Sequence, residues 1–179
     1  MSQIHLRRWY PADADALSDI LRDDPELRRQ CGGLDPGGPL GAGAVAAFID
    51  RHLVPAADGL CFAVIRDEQP VGQIMVSAIE RRHDTGWASY WLTRDARGAG
   101  LAARGLATVS ALAFAEGVFR LELGHRINNP ASCRVALAAG FRAEGIERAK
   151  LRYGEQRFDV ETHARLATDP VPDLEAIVV

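Results

Sequence analysis

The chain has 179 residues, 47% hydrophobic and 25% charged, with a net charge of −3 and a pI near 5.9. That length suits one packed domain, and the slight acidity gives no electrostatic reason to expect nucleic acid or an anionic membrane as partner. No apolar run reaches the roughly 20 residues of a membrane-spanning helix, and the polar start MSQIHLRRWYPADAD has no signal-peptide core, which predicts a cytoplasmic protein.

Residues 3–9, QIHLRRW, alternate as a short strand that Pro11 ends. Asp13 or Asp15 can cap a helix to about Leu21, with Ala16, Leu17, Ile20 and Leu21 as its apolar stripe. Residues 31–44 hold six glycines and two prolines, which predicts an irregular surface loop. Val45, Phe48, Ile49 and Leu53 then recur at helical spacing over 43–55. The period changes to two at 60–66 and 71–79, a hairpin, and at 86–93, a further strand. Residues 99–116 read as a helix, 119–124 as a strand, and 128–140 as a short helix with Pro130 in its first turn and Gly140 at its end. Residues 141–148 and 157–166 read as a closing antiparallel pair, and 169–179 as a peripheral tail after a single domain over 1–168. The order β-α-α-β-β-β-α-β-α-β-β is that of an α/β domain with a mixed sheet.

Three cysteines, Cys31, Cys61 and Cys133, are odd in number, and the five histidines (His5, His52, His83, His125, His163) are scattered with no CxxC or HExxH spacing. No metal site is expected from this pattern, and the thiols read as free.

The stretch RDARGAG, residues 94–100, joins a strand to a helix. A dinucleotide fingerprint would need GxGxxG behind a first strand, and a P-loop would need GxxxxGK[ST]; neither string is present. A tight turn without a ligand is one reading. The other is an anion cradle. The first amides of a helix have no intrahelical acceptor and the helix dipole favours negative charge there. Gly98 and Gly100 leave room for a phosphate, and Arg97 can add charge.

Here the sequence resembles the GNAT superfamily of acyl-CoA-dependent N-acetyltransferases, whose Q/R-x-x-G-x-G/A signature binds the pyrophosphate of coenzyme A. Asp95-Ala96-Arg97-Gly98-Ala99-Gly100 matches it except at Asp95. A second, independent match is NPASCRVALAAGF, with Asn129 near the helix start and Gly140-Phe141 eleven and twelve residues later. The N-x-x-S form, the Glu144-Gly145 pair and Tyr90-Trp91-Leu92 look like the RimJ/RimL branch, which acetylates N-termini of ribosomal proteins and has relatives acting on small amines.

The resemblance implies a three-layer fold with a central mixed, mostly antiparallel sheet of six to seven strands. It implies acetyl-CoA as co-substrate, no metal, a primary amine as acceptor (a protein N-terminus or a small molecule), and a monomer or homodimer. The cofactor would lie on Leu92, Thr93, Arg97, Gly98, Ala99, Gly100, Leu101, Ala102, Asn129 and Ser132. The backbone at Leu92 and Thr93 would stabilise the oxyanion, Asn129 would meet the pantetheine arm or act as a plain N-cap, and Ser132 would assist the leaving thiolate where other members use a tyrosine. Relatives of the RimL type carry a glutamate three residues ahead of the Tyr-Trp pair, and this chain has Trp87 there. Trp87 and Ser89 share a strand face that would meet the acceptor. Glu80, His83, Asp84, His125 or a water relay remain as routes for the amine proton. A non-catalytic acyl-CoA sensor of the same fold is the alternative function.

Overall fold

A computed structural model describes residues 3–31, 38, 40–54 and 59–179. Its elements are β1 (Ile4–Arg7), α1 (Ala14–Asp23), α2 (Pro25–Gln30), α3 (Ala42–Phe48, continued by a π-turn over Ile49–Leu53), β2 (Leu60–Arg66), β3 (Gln69–Glu80) and β4 (Thr85–Leu92). They continue as α4 (Leu101–Ala115), β5 (Arg120–Arg126), α5 (Pro130–Ala138), β6 (Arg142–Tyr153) and β7 (Gln156–Leu166). The seven strands form one sheet in the order β1-β2-β3-β4-β5-β7-β6. Every neighbouring pair is antiparallel except β4 and β5. The mixed, mostly antiparallel sheet that the resemblance implies is therefore observed.

The strand β2 is buried on both faces because its two side-chain sets are both apolar. In β2, Leu60, Phe62 and Val64 join Ile74, Val76, Leu106, Val109, Leu121 and Phe141 in a core under α4 and α5. Cys61, Ala63 and Ile65 join Trp9, Leu17, Leu21, Val45 and Phe48 in a second core under α1–α3. The helices thus make the two outer layers.

Three elements differ from expectation. The helix α2 was passed over, although Asp24-Pro25-Glu26 is a helix start: Asp24 caps it by accepting from the Leu27 N–H at 3.1 Å, and Pro25 occupies the first turn. Half of the glycine-rich stretch 31–44, residues 32–37 and 39, lies outside the described residues. The strand β6 runs to Tyr153 rather than 148, because bulges, with Ala149 at φ 53°, shift its register against β7 and let pairing resume at Leu151. The tail is not peripheral. Ile177 is 3% exposed in the α4-side core, its N–H donates to Thr108 Oγ1 at 3.1 Å, and the Leu6 N–H donates to the Val178 carbonyl at 2.7 Å. Ile177→Ala is expected to cost about 2–4 kcal/mol, the range for a buried aliphatic truncation. Urea unfolding measures this, and a cost under about 0.5 kcal/mol would return the tail to the surface.

Candidate active site

The site is a gap in the sheet. β4 and β5 pair only over Thr85–Trp87 against Arg120–Glu122. Beyond that, β4 stays with β3 to Leu92 and β5 stays with β7 to Arg126. Ala88–Leu92 and Leu123–Arg126 therefore diverge, and the backbone groups along the opening face each other without pairing.

The register decides which groups face in. The Thr93 N–H donates to the Val71 carbonyl at 2.8 Å. By the two-residue period, the amides of Trp91 and Thr93 point to β3, and those of Tyr90 and Leu92 point into the gap. Leu92 fits the expected donor role. The amide of Thr93 does not, because it is already committed to the sheet.

Beyond Leu92 the chain makes a short 3₁₀ turn over Arg94–Ala96 and enters α4 through two left-handed glycines, Gly98 at φ 83° and Gly100 at φ 75°. Only glycine takes that conformation without a cost of about 1–2 kcal/mol. A Cβ built on either one meets nothing within 4 Å, so the space beside this turn is open. Gly100 is the N-cap of α4 and no side chain caps the helix. The first intrahelical bond is from the Arg104 N–H to the Gly100 carbonyl at 3.1 Å. The amides of Leu101, Ala102 and Ala103 stand ahead of it, at the positive end of the helix dipole. Leu101 and Ala102 are 5% and 7% exposed with their side chains in the core, so a ligand would meet only their amides. Ala99, between the glycines, is exposed.

Arg97 is engaged. Its Nε donates to the Leu92 carbonyl at 3.0 Å and its Nη2 to Asp24 Oδ2 at 3.1 Å, while Arg94 Nε lies 3.6 Å from the same oxygen. It braces the cradle against α2, with its half-exposed guanidinium at the rim. Burial raises the Asp24 carboxyl, but the Leu27 amide and the two arginines outweigh it and hold the carboxyl below its usual range. A carboxyl lowered by folding stabilises the fold fully above its unfolded value, near 3.9, and loses that contribution as pH falls through the folded value. Asp24→Asn keeps a capping oxygen and removes the charge. The Tm difference between wild type and this variant is expected to close as pH drops below about 4; a difference independent of pH would remove the arginine contacts as its cause.

At the other side of the gap, Asn129 caps α5: its Oδ1 accepts from the Ser132 N–H at 3.2 Å. The capping role is thus realised. Ser132 faces β4, and its Oγ lies 2.5 Å from the hydroxyl of Tyr90. Burial pushes the Tyr90 phenol up, against the opposing effect of the Ser132 hydrogen bond, so it stays protonated at neutral pH. Sequence analysis missed Tyr90 as a site residue. The available signal was its face: it lies with Ala88 and Leu92, which are core, and a phenol among core residues needs a hydrogen-bond partner.

The expected acceptor face divides. Trp91 packs on Trp9 at 6.2 Å in the α1–α3 core. Trp87 is half-buried at the closed end of the gap, with Lys150 Nζ 5.1 Å from its ring centre. It floors a groove of about 250 Å³ that also takes in Arg120, Glu122, Glu144, Glu147 and Lys150. That lining is mostly charged. Ser89, also half-buried, pairs with Met75 on β3.

Of the candidate bases, three are excluded by position. Glu80 ends β3 and His83 and Asp84 sit in the β3–β4 turn, and the length of β4, seven steps of about 3.3 Å, separates them from Leu92. The Glu80 carboxylate is occupied by the N–H groups of Arg82 and His83 at 2.8 and 3.0 Å. His125 is on the diverging part of β5, but its side chain is only 4% exposed, with Nε2 3.0 Å from His163 Nε2 and 3.2 Å from Glu161 Oε2. Among the described residues, no helix is long and apolar enough to cross a membrane.

Known proteins share this architecture. A model of the acetyltransferase (GNAT) domain matches residues 3–142. The ribosomal-protein-serine acetyltransferase of Escherichia coli strain K12 is 28% identical over 106 residues, so the match spans 59% of this chain and 59% of that relative. Mycobacterium smegmatis RimJ, solved in complex with CoA-disulfide, superposes with a TM-score of 0.81 at 24% identity, over 93% of this chain and 85% of that one. RimL, a ribosomal L7/L12 α-N-protein acetyltransferase solved with coenzyme A, superposes with a TM-score of 0.81 at 20% identity, over 92% and 94%. At those identities the two structures speak for the fold. The family match covers most of the chain, from the first strand past the Gly-Phe pair, and with the glycine turn opening α4 it shows that the chain belongs to the GNAT acetyltransferase family and is an acyltransferase.

Proposed function

We propose that this chain transfers the acetyl group of acetyl-CoA directly to a primary amine, either a protein N-terminus or a small molecule. The observation that carries the reading is the pairing of an uncapped α4 N-terminus with a gap in the sheet directly upstream of it. The pyrophosphate takes the amides beyond Gly98 and Gly100. The pantetheine arm then runs along the unpaired edge of β4 towards Asn129. This brings the thioester carbonyl to the Leu92 amide, a preorganised donor for the oxyanion.

The amine attacks that carbonyl, the tetrahedral intermediate collapses, and the C–S bond breaks. The thiolate takes a proton from the Tyr90–Ser132 pair. A phenol is a far better acid than an aliphatic hydroxyl, so Tyr90 supplies the proton and Ser132 carries or orients it. The amine loses its own proton to water. His125 is passed over as base because its Nε2 is held between Glu161 and His163.

Two measurements test the reading. Acetyl-CoA at about 100 times its dissociation constant stabilises the fold by roughly 2.7 kcal/mol, visible as a raised Tm. Thiol release from acetyl-CoA rises on adding an acceptor from a panel of peptides with free N-termini and small amines, and mass spectrometry places the acetyl group on the amine. A Tm indifferent to acetyl-CoA would end the cofactor assignment. Binding without thiol release for any acceptor would favour the sensor.

A further inference from the structure

We propose that His125, Cys133, Glu161 and His163 form a binding site for one zinc ion, which ties the first turn of α5 to β5 and β7. Its donors come from β5, β7 and α5, apart from the glycine turn that opens α4.

The chain spacing of these four residues gives no hint of it; the register does. His125 and Glu161 are directly opposite on β5 and β7, and His163 is opposite Leu123. Paired residues point to the same face, so all three side chains rise on the side where Leu123 enters the α5 core. Cys133, in the first turn of α5, comes down onto them, and the four donor atoms lie within 4.8 Å of one another.

Three of them already have the dimensions of a coordination sphere. His125 Nε2 to His163 Nε2 is 3.0 Å, His163 Nε2 to Glu161 Oε2 is 3.1 Å, and His125 Nε2 to Glu161 Oε2 is 3.2 Å. A tetrahedral zinc with bonds of about 2.0–2.1 Å sets its nitrogen and oxygen donors roughly 3.3 Å apart. The triangle needs to open by only a few tenths of an ångström. Cys133 completes the fourth corner from a half-exposed position on the helix, where a small side-chain adjustment brings the sulfur in.

The surroundings prepare the donors. His125 Nδ1 lies 3.0 Å from the Arg126 carbonyl oxygen, which can only accept. Nδ1 therefore carries the ring proton, and Nε2 of the neutral ring presents a lone pair to the cluster; metal-bound histidines are oriented by such a contact. His163 Nδ1 has no partner among the described residues, so this buried ring is anchored only through the atom that faces the cluster. Two imidazoles, one thiolate and one carboxylate are a borderline-soft donor set suited to zinc and poor for magnesium or calcium. Binding releases the Cys133 thiol proton, and His163 coordinates through Nε2 with its ring proton on Nδ1. The two anionic ligands then neutralise the ion. Four protein ligands leave no open position, which is the pattern of a structural site.

The test uses the full chain without a histidine tag, stripped with chelator and dialysed against zinc. One zinc per chain is expected by elemental mass spectrometry, with a raised Tm that magnesium does not reproduce. Cobalt in its place is expected to show tetrahedral d–d bands and a thiolate charge-transfer band. Cys133→Ala, on a half-exposed helix turn, removes that band and weakens zinc binding about 100-fold or more, as does Glu161→Gln. These two variants carry the test even if a substitution at buried His163 unfolds the protein. Absence of stoichiometric zinc, or zinc held as tightly by Cys133→Ala and Glu161→Gln as by the parent, overturns the site.

Discussion

Gly98→Val is expected to leave the protein folded and to raise the dissociation constant for acetyl-CoA by about 100-fold or more, equivalent to at least ~2.7 kcal/mol. Two independent effects act. The backbone at φ 83° is strained by any Cβ, at about 1–2 kcal/mol, which a domain with several kcal/mol of stability survives. No neighbouring atom lies within 4 Å of that Cβ, so the fold does not reject the side chain sterically. The valine instead fills the open space in front of the α4 amides, where the pyrophosphate is proposed to sit. Gly98→Ala shares the strain with less bulk and is expected to fall between parent and valine. Calorimetric titration reads both, alongside the Tm gain from acetyl-CoA, which Gly98→Val should lose. Unchanged affinity in Gly98→Val would mean that the diphosphate is held elsewhere.

The second large effect is expected at Tyr90. Tyr90→Phe removes one oxygen from a half-buried ring and is expected to lower kcat by about 10²-fold, within the range for a positioned proton donor, with the KM for acetyl-CoA nearly unchanged. The fold should lose only about 1 kcal/mol, the usual worth of one hydrogen bond. Ser132→Ala acts on the same 2.5 Å contact and should also slow turnover. Because the two hydroxyls work as one unit, the double variant is expected to be little worse than the poorer single one. Full activity in Tyr90→Phe beside a slow Ser132→Ala would assign the proton to serine and reduce the phenol to packing.

Residues without an obvious partner in the sequence carry much of the proposed chemistry. Ser132 was legible from the N-x-x-S pattern beside Asn129, and the family comparison supports the frame around it. Its partner was not, because Tyr90 lies 42 residues away and reads as one more aromatic on a buried strand. Arg97 was legible as a cation next to the glycines, but its orientation towards Leu92 and Asp24 depends on where α2 docks. Trp87 was legible as an aromatic in place of a carboxylate. That it floors a charged groove follows from β6, which supplies Glu144, Glu147 and Lys150 from the edge of the sheet.

The sequence by itself determined the order of elements apart from α2, the turn at Gly98 and Gly100 and the capped start of α5, because periodicity, left-handed backbone and helix capping are local properties written in neighbouring residues. Only the tertiary structure decided where β4 and β5 part, that Ile177 returns to the core, and that His125 meets His163 across 38 residues of chain. Those outcomes depend on which strands become neighbours and in what register. A shift of one residue would turn each of these side chains to the opposite face.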